Sequence, residues 1–322
     1  MTVSLVTIIK FKMQNQIKQI SANEIKSLNI KPAEYYRWID EVLNRFDGFI
    51  LPTKTRVPLR TTDYFNVMPC VLPSMNRMGL KVVTRSEERR KNCQENIDAD
   101  ILLYDYESCN LLSLMDGSLI TTIRTAAIAV HSMLHLAGKQ DVIAMVGLGN
   151  IGTWIGRILF DQLEGKPVRV KLYKYKNHAE RFIAEFNYYK NVIFEVCDTY
   201  EQLMANSDVV FSSVTFIEED FCPPEVFKSG CTVIPVHMRG FKECDKVFDH
   251  VITSDLESIR KFQYYSEMKK ISRLNEVLKG GINVRENETD RILVYNLGIA
   301  LYDLYFASKM FDRIIYNLHE KN

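Results

Sequence analysis

The chain has 322 residues, of which 47% are hydrophobic and 25% are charged, and its 41 basic and 40 acidic side chains leave a formal net charge of +1. This length allows two domains, and the composition is that of an ordinary globular protein. The near-zero charge argues against a nucleic-acid-binding surface or a polybasic membrane contact. No apolar run approaches the roughly 18 residues of a membrane span. Seven scattered cysteines without a C-x-x-C pair favour reduced thiols in the cytoplasm.

The first part of the chain mixes helix with extended segments. Met13 is a second candidate start residue, which would make Met1–Lys12 a weakly ordered leader. A helix is predicted around Ala33–Phe46, "GLKVVT" predicts a strand, and "ILLYDY" and "LLSLM" predict a hairpin around "ESCN". The run "SLITTIRTAAIAVHSMLHLAG" then predicts a long helix that ends at Gly138.

From Asp141 onward, apolar strands and helices alternate regularly. The predicted strands are Val142–Val146, Val168–Tyr173, Val192–Val196, Val209–Val214 and Thr232–His237. The predicted helices are Gly152–Leu163, His178–Phe186, Tyr200–Ala205 and Pro224–Phe227. This alternation predicts a doubly wound parallel sheet. A strand-like "KVFDHVITS" follows, and the terminal run "ILVYNLGIALYDLYFASKMFDRIIYNL" predicts a helix that is apolar on nearly all sides and therefore buried against the first domain or a second subunit.

The stretch "AMVGLGNIG" places three glycines at the start of this alternation. Gly147, Gly149 and Gly152 fit the pattern G-x-G-x-x-G, directly after a strand and at the start of a helix. The first glycine permits a tight turn, the second lets a pyrophosphate approach the backbone, and the third allows close packing of the helix on the strand. A simple glycine-rich turn is the alternative. The position of the motif favours a dinucleotide site that includes Asn150 and Ile151.

The end of the second strand of this alternation distinguishes NAD from NADP. An NAD site usually places Asp or Glu there to bind the ribose hydroxyls, whereas "VKLYKYKNHAE" places Lys174 and Lys176 there. Ammonium groups attract a 2′-phosphate, and a carboxylate repels it. The two lysines favour NADP over NAD, the alternative being that they are solvated residues at the end of a strand.

With "DGSLITTIRTAAIAV" followed by "VGLGNIG", the sequence resembles the ornithine cyclodeaminase/mu-crystallin family, which carries a run like L-T-x-x-R-T-A-A one helix before its glycine loop. Supporting pieces in the same order are "PLR", "VMP", "GLKVVT" and "NLGIALYDLYFA". The resemblance implies an α/β fold, in which a Rossmann doubly wound parallel sheet is inserted in an α+β oligomerisation and substrate domain. The implied domains are residues 1–138 with 296–322 for substrate binding and dimerisation, and residues 139–295 for dinucleotide binding.

The resemblance also implies an activity, because members of this family use a nicotinamide cofactor on amino or imino acids. It implies a homodimeric oxidoreductase that acts on the C–N bond of such a substrate, as a ketimine reductase or an amino-acid dehydrogenase does. Ornithine cyclodeaminase activity with a displaced catalytic acid is the alternative enzyme. A non-catalytic protein that binds NADPH or a small ligand is the alternative of another class. No nucleic-acid or membrane partner is expected.

The family's substrate-binding residues correspond to particular positions of this chain. Arg124 in "TIRTAA" matches the arginine that binds the substrate carboxylate, for which a guanidinium fork is well suited. Arg60 in "PLR" matches a second carboxylate-binding arginine, with Arg56 as a rival. Lys81 matches the lysine that faces the reacting centre. Because a lone buried cation is costly, Lys81 is expected to have a partner or to meet the substrate.

One family position differs in this sequence. Ornithine cyclodeaminases place a catalytic aspartate just after the strand that here ends before "MRGFKECD", and that position falls on Arg239. An arginine stays protonated and cannot act as a general base, so Arg239 is instead a candidate for binding a second substrate carboxylate. Glu243, Asp245 and His237 are the candidates for the displaced catalytic group.

Two serines and two histidines complete the set of candidates. Ser212 and Ser213, in "DVVFSS", fall where the family lines the nicotinamide pocket. His131 and His135 are four residues apart in "HSMLH", a spacing that can bind zinc, but no third ligand is evident from the sequence. No metal site is therefore expected.

Overall fold

The computed structural model describes residues 17–60, 63–92, 97–163, 165–215 and 217–320. Met13, the proposed leader and Cys93 lie outside these residues. The chain divides into two compact units, of which the first comprises Met1–Ile30, Arg45–Thr121 and Ile299–Asn322 and the second comprises Lys31–Asn44 and Thr122–Gly298. The second unit thus includes Lys31–Asn44 and residues 122–138, which the domain boundaries inferred from the sequence assign to the first domain.

The elements are numbered here in chain order. The strands are β1 (Lys18–Ile20), β2 (Thr55–Pro58), β3 (Tyr64–Leu72), β4 (Arg77–Arg85), β5 (Ile97–Asp105), β6 (Leu111–Asp116), β7 (Val142–Val146), β8 (Val168–Tyr173), β9 (Val192–Cys197), β10 (Val209–Ser212), β11 (Thr232–Pro235), β12 (His250–Thr253), β13 (Ile271–Arg273) and β14 (Ile292–Tyr295). The α-helices are α1 (Ala22–Ser27), α2 (Pro32–Asn44), α3 (Glu87–Lys91), α4 (Gly117–Leu136), α5 (Asn150–Gln162), α6 (His178–Phe186), α7 (Tyr200–Met204), α8 (Lys242–Val247), α9 (Leu256–Ile259), α10 (Leu274–Leu278) and α11 (Ala300–His319).

The first unit is built on a six-stranded sheet in the order β1-β6-β5-β4-β3-β2. The pairs from β2 to β6 are antiparallel, which includes the predicted hairpin of β5 and β6, and β1 joins β6 in parallel. Helix α11 packs on β3, β4 and β5. Its large apolar side chains from Leu301 to Ile314, among them Tyr305, Phe306 and Met310, are buried, whereas Tyr316 and Leu318 near its C-terminal end are exposed. The apolar surface between Leu301 and Ile314 is therefore covered within the chain and needs no second subunit to cover it.

The other face of this sheet carries apolar side chains that remain partly exposed. Pro69, Leu80, Leu102 and Leu114 lie opposite one another on β3, β4, β5 and β6. All four are partly exposed, whereas their neighbours Met68, Lys81, Ile101 and Met115 are buried. Side chains alternate between the two faces of a strand. One face of the sheet is consequently the core of the unit, and the other is a partly exposed apolar surface.

The second unit contains the predicted Rossmann-type sheet, so the predicted fold class is confirmed. Eight parallel strands run in the order β13-β12-β14-β11-β10-β7-β8-β9. The predicted bounds of β7, β8 and α6 agree with the structure. The interpretation of "ILVY" as the start of the terminal helix is wrong, because these residues form β14 between β11 and β12. Both faces of β14 are buried, so its sequence is a continuous apolar run without strand alternation.

Helix α4 is an apolar element of unusual length. By length and composition alone, this helix could cross a membrane, although the sequence contains no apolar run that predicts a membrane span. However, 72% of its most apolar 18-residue window is buried inside the chain. A core helix of a globular protein has this combination of apolar composition and burial.

Candidate dinucleotide and substrate sites

The glycine loop connects β7 to α5 through backbone that side chains would obstruct. Gly147 has φ of +87°, a conformation that favours glycine, and a Cβ there would lie 2.5 Å from the carbonyl carbon of Ser213. A Cβ on Gly152 would overlap the carbonyl oxygen of Gly147. Two of the three predicted glycines are thus required by the packing of the turn against β10 and α5.

Gly149, the third glycine, has a different environment. It is the N-cap residue of α5, no side chain caps the helix there, and a Cβ on Gly149 would have no atom within 4 Å. The positive end of a helix dipole and its backbone amides bind anions such as phosphates. The backbone at Gly149, followed by Asn150 and Ile151 at the start of α5, therefore fits a dinucleotide pyrophosphate.

The end of β10 lies beside this loop and carries the two predicted serines. The Ser213 hydroxyl donates to the carbonyl oxygen of Gly147, and the buried Ser212 Oγ lies 2.6 Å from His237 Nε2. The Arg239 backbone N–H donates to His237 Nδ1 at 3.4 Å, which assigns the ring proton to Nε2 and makes Ser212 its acceptor. Burial lowers the pKa of His237 to about 4, so this imidazole is neutral at physiological pH.

The two lysines predicted to select the cofactor follow the end of β8. Lys174 Nζ lies 2.9 Å from Asp198 Oδ1, and the Lys176 ammonium lies 5.2 Å from the centroid of the Tyr175 ring. Lys176 has φ of +50°, so the chain turns sharply before α6. In parallel sheets ligands bind at the carboxyl ends of the strands. Both lysines follow such an end, and Lys174 already has a carboxylate neighbour.

In the first unit, Lys81 has the partner that its burial requires. Its Nζ donates to Asp303 Oδ1 at 2.8 Å, and both side chains are almost fully buried. The Thr121 hydroxyl donates to the same carboxylate oxygen at 3.3 Å. Strand β4 supplies the lysine, α11 the aspartate and the first turn of α4 the threonine. The structure therefore holds an ammonium group at a defined place in the interior of this unit.

The arginines proposed to bind carboxylates differ in their surroundings. Arg124, on α4, is only 4% exposed, and a Cβ on Gly298 would lie 3.0 Å from its Nη2. Gly298 thus leaves room for the guanidinium group. Arg60 is exposed and follows β2, while its rival Arg56 stacks on the Tyr64 ring, with 3.9 Å from Arg56 Cζ to the ring centroid. The structure thus presents Arg60 to solvent and engages Arg56 in a cation–π contact.

The candidates for a displaced catalytic acid each have a partner. Glu243 is paired with Lys246, and this hydrogen bond lowers the pKa of Glu243. Asp245 is 2% exposed and accepts a hydrogen bond of 2.8 Å from the Tyr295 hydroxyl, and burial raises its pKa to about 7. Arg239 is exposed. The two carboxylates are consequently an ion-paired group on the surface and a group enclosed in the core.

The two histidines of α4 gain a third polar neighbour from α2. Asp40, His131 and His135 each place one potential ligand atom within 4.8 Å of the others. His131 Nε2 donates to Asp40 Oδ1 at 2.6 Å, whereas His131 Nδ1 is buried without a partner among the described residues. A metal at Nε2 would move the ring proton to this buried atom, where it has no acceptor. The arrangement is better explained as a hydrogen bond that joins α2 to α4.

Sequence reasoning did not assign roles to Asp303, Thr121 and Asp198. Asp303 lies in the motif "NLGIALYDLYFA", and an aspartate in such an apolar stretch is itself a sign that a buried cation lies nearby. The pairing of Lys174 with Asp198 depends on the register of β8 and β9, which places Tyr173 opposite Cys197. No local sequence signal contains this register.

Together, the glycine loop that fits a pyrophosphate and the eight-stranded parallel sheet of the second unit define a Rossmann-type nucleotide-binding protein, to which the first unit adds an α+β part with a buried ammonium group. The model of the ornithine cyclodeaminase/mu-crystallin family matches residues 14–238. The chain belongs to the ornithine cyclodeaminase/mu-crystallin family, and the predicted membership is confirmed.

Known relatives cover most of the chain. It is 27% identical over 283 residues to ketimine reductase mu-crystallin of Mus musculus, covering 82% of this chain and 85% of that protein. An archaeal alanine dehydrogenase dimer with bound NAD superposes with a TM-score of 0.80 at 17% identity, covering 94% of this chain and 97% of that one. The Thermococcus litoralis Δ1-pyrroline-2-carboxylate reductase with NADH and L-proline gives a TM-score of 0.79 at 18% identity, with 93% and 98% covered. The likeness to these two structures shows the shared fold.

The Lys81–Asp303 pair predicts a large difference between two aspartates of α11. Asp303→Asn removes the carboxylate that lies 2.8 Å from the buried Lys81 ammonium and should cost about 3–5 kcal/mol of unfolding free energy. Asp312→Asn is the matched control, because Asp312 pairs with Arg77 of β4 at 2.6 Å but is half exposed. This control should cost less than about 1 kcal/mol. Urea unfolding of both variants measures the difference, and equal costs would contradict the assignment.

Proposed function

We propose that this protein is an NADP-dependent oxidoreductase that acts on the C–N bond of an amino or imino acid, with the reduction of a ketimine as the favoured reaction. The observation that carries the proposal is the glycine loop at Gly147–Gly152, which fits a pyrophosphate, in a chain that also buries Arg124 and Lys81. Similarity to the mouse ketimine reductase supports the same reaction class.

The roles of the chain's own residues follow from their chemistry. Arg124 binds the substrate carboxylate through a charge-assisted, bidentate contact, and the exposed Arg60 assists. Lys81, whose ammonium is fixed by Asp303, stabilises negative charge at the reacting group. When bound, the nicotinamide supplies or accepts the hydride. Ser212 and Ser213, at the end of β10 beside the glycine loop, contribute to the nicotinamide site.

Arg239 supports a substrate with two carboxylates. It is an exposed cation on the loop after β11, where cyclodeaminases of the family are expected to have an aspartate. An imine formed from an amino acid and a keto acid carries two carboxylates, and a second guanidinium would bind the additional one. Cyclodeamination of ornithine is the second candidate, but it needs a general base, for which the ion-paired Glu243 and the enclosed Asp245 are poorly placed.

Catalysis is tested with the purified protein, NADPH, a cyclic ketimine and an imine formed from an amino acid and a keto acid. We expect oxidation of NADPH, followed at 340 nm. Arg124→Met should lower kcat/KM by an amount equivalent to about 2–4 kcal/mol, because a charge-assisted contact in a desolvated site is lost. Arg260→Met is the control, since Arg260 is an exposed residue paired with Glu257, and this variant should keep full activity.

The other outcomes distinguish the alternative functions. Rapid formation of proline from ornithine would contradict reduction as the main activity and would make Glu243 or Asp245 the displaced catalytic group. Dinucleotide binding without turnover of any amine or imine would favour the non-catalytic binding protein. Little proline is expected from the unmodified protein, because Arg239 cannot accept a proton.

The cofactor is the second testable part of the proposal. We expect NADPH to bind at least about ten times more tightly than NADH, which corresponds to roughly 1.4 kcal/mol. Changing both Lys174 and Lys176 to Glu should abolish this preference, because carboxylates repel a 2′-phosphate. Fluorescence titration with each reduced dinucleotide measures the two affinities. Equal affinities in the unmodified protein would contradict the choice of NADP.

We also propose that two copies associate through the partly exposed face of the six-stranded sheet, which carries Pro69, Leu80, Leu102 and Leu114. A contiguous apolar surface of this kind is typical of a subunit interface. The dimeric state of the structurally similar archaeal alanine dehydrogenase agrees with such an assembly. The terminal helix, for which the sequence leaves a second subunit as one possible cover, is not the contact proposed here, because its apolar side chains from Tyr302 to Phe311 are already buried.

The proposed dimer predicts that Leu102→Lys gives a monomer, because two charges would be buried against an apolar face. Ile193→Lys is the control, since Ile193 is 63% exposed on β9 in the other sheet and should tolerate the charge. Size-exclusion chromatography with light scattering measures the mass of each variant. A monomeric unmodified protein, or a dimeric Leu102→Lys variant, would show that this face is not the interface.

A further inference from the structure

The ion pair between Lys174 and Asp198 lies directly after the paired ends of β8 and β9. Tyr173 and Cys197 are opposite one another in the parallel ladder, and the Lys174 backbone N–H donates to the Cys197 carbonyl at 2.9 Å. Lys174 Nζ is 2.9 Å from Asp198 Oδ1, and the side chains are 56% and 67% exposed. Both charged groups are therefore accessible to a ligand at the carboxyl end of the sheet.

The backbone of Asp198 is held in place by the start of α7. Its N–H donates to Gln202 Oε1 at 3.1 Å, and the same Gln202 side chain completes a capping box with Thr199. The backbone of Lys174 is held by its hydrogen bond to the Cys197 carbonyl at the end of the β8–β9 pairing. Asp198 can therefore leave Lys174 only by rotating its side chain, not by moving its segment of chain.

The carboxylate changes what Lys174 offers to a phosphate. The hydrogen bond and charge of Asp198 raise the pKa of Lys174, so the lysine stays protonated. The pair as a whole has almost no net charge. A 2′-phosphate, which carries close to two negative charges, is attracted by Lys174, and the ion pair with Asp198 weakens this attraction. The ribose hydroxyl of NADH is uncharged, so neither Lys174 nor its pairing with Asp198 should change the binding of NADH strongly.

We propose that Asp198 is a specificity-determining residue that limits the affinity for the 2′-phosphate of NADP by holding Lys174 in an ion pair. The proposal rests on the proposed function, because it presupposes a dinucleotide at the glycine loop. Lys176, whose ammonium lies over the Tyr175 ring, supplies the second positive charge. The preference between the two cofactors thus depends on the Asp198 carboxylate, which follows β9, as well as on the two lysines that follow β8.

The test compares Asp198→Asn with Glu195→Gln, which removes the same charge from the same strand region. Glu195 pairs with Arg169 of β8 at 3.5 Å, and both side chains are exposed, so it is a matched control. Dissociation constants for NADPH and NADH are measured by fluorescence titration at one fixed ionic strength. We expect Asp198→Asn to bind NADPH about five-fold more tightly, with NADH changed by less than about two-fold. Glu195→Gln should change neither affinity by more than about two-fold.

The ion pair itself is tested by repeating the substitution in a Lys174→Met background. Without the lysine, Asp198→Asn should change the NADPH affinity by less than about two-fold, because the interaction that it removes is already absent. A five-fold gain in both backgrounds would show that Asp198 acts only by repelling the phosphate and would overturn the ion-pair account. An equal gain for NADH and NADPH would overturn the specificity role. Weaker binding of NADH to the Asp198→Asn variant would show that Asp198 binds the ribose hydroxyls, and this result would also overturn the specificity role.

Failure of the proposed function gives a different result. If the unmodified protein binds neither dinucleotide, the proposed oxidoreductase function is wrong, and the proposed role of Asp198 is wrong as well. If the unmodified protein binds both cofactors but Asp198→Asn leaves the NADPH affinity unchanged, only the inference about Asp198 is overturned. Thermal unfolding of each variant verifies that the exposed substitutions leave the fold intact.

Discussion

The close approach of the β7–α5 turn to the end of β10 is the constraint on which the nucleotide-binding unit depends. At Gly147 a side chain would meet the backbone of Ser213, and at Gly152 it would meet the turn itself. The absence of two Cβ atoms therefore lets a strand, a helix and a second strand meet at one edge of the sheet. The same approach brings Ser213 within hydrogen-bonding distance of Gly147 and leaves the backbone at Gly149 uncovered. The packing of the turn and the proposed binding of a pyrophosphate thus have the same cause.

The buried ion pair of Lys81 and Asp303 need not increase the net stability of the fold. Replacing a buried ion pair by apolar residues is often neutral or stabilising, because desolvation offsets the attraction between the charges. The net stability of the fold does not by itself explain such a pair in the middle of an apolar sheet and helix. The role proposed for Lys81, that of a fixed ammonium group that stabilises charge during the reaction, does explain it. A buried pair that is costly to break but adds little net stability is consistent with this proposed role.

Features that depend on residues close together in the sequence can be predicted from it, whereas features that depend on distant residues cannot. The turn at Gly147 and Gly152 is recognisable because its glycine spacing is a local pattern, although the approach of β10 that requires Gly147 is a long-range contact. Strands β7 and β8 are recognisable from short apolar runs. The run "ILVY" was misassigned, because a strand buried on both faces has no alternation and resembles the apolar helix that follows it. Asp303 and Asp198 depend on contacts across 222 and 24 residues of sequence. Such contacts require the register of the sheets and are not contained in any local pattern.

The state of the titratable groups near β10 and β11 bears on which reaction the site can perform. His237 uses both ring nitrogens in hydrogen bonds, Glu243 is ion-paired, and Asp245 is enclosed with Tyr295. Reduction of a ketimine needs one hydride and one proton, and a ketimine that enters from water in its protonated form already carries that proton. Cyclisation of a diamine also needs a base that removes a proton from the attacking amine. The engagement of these three groups therefore opposes cyclodeamination and leaves ketimine reduction unaffected.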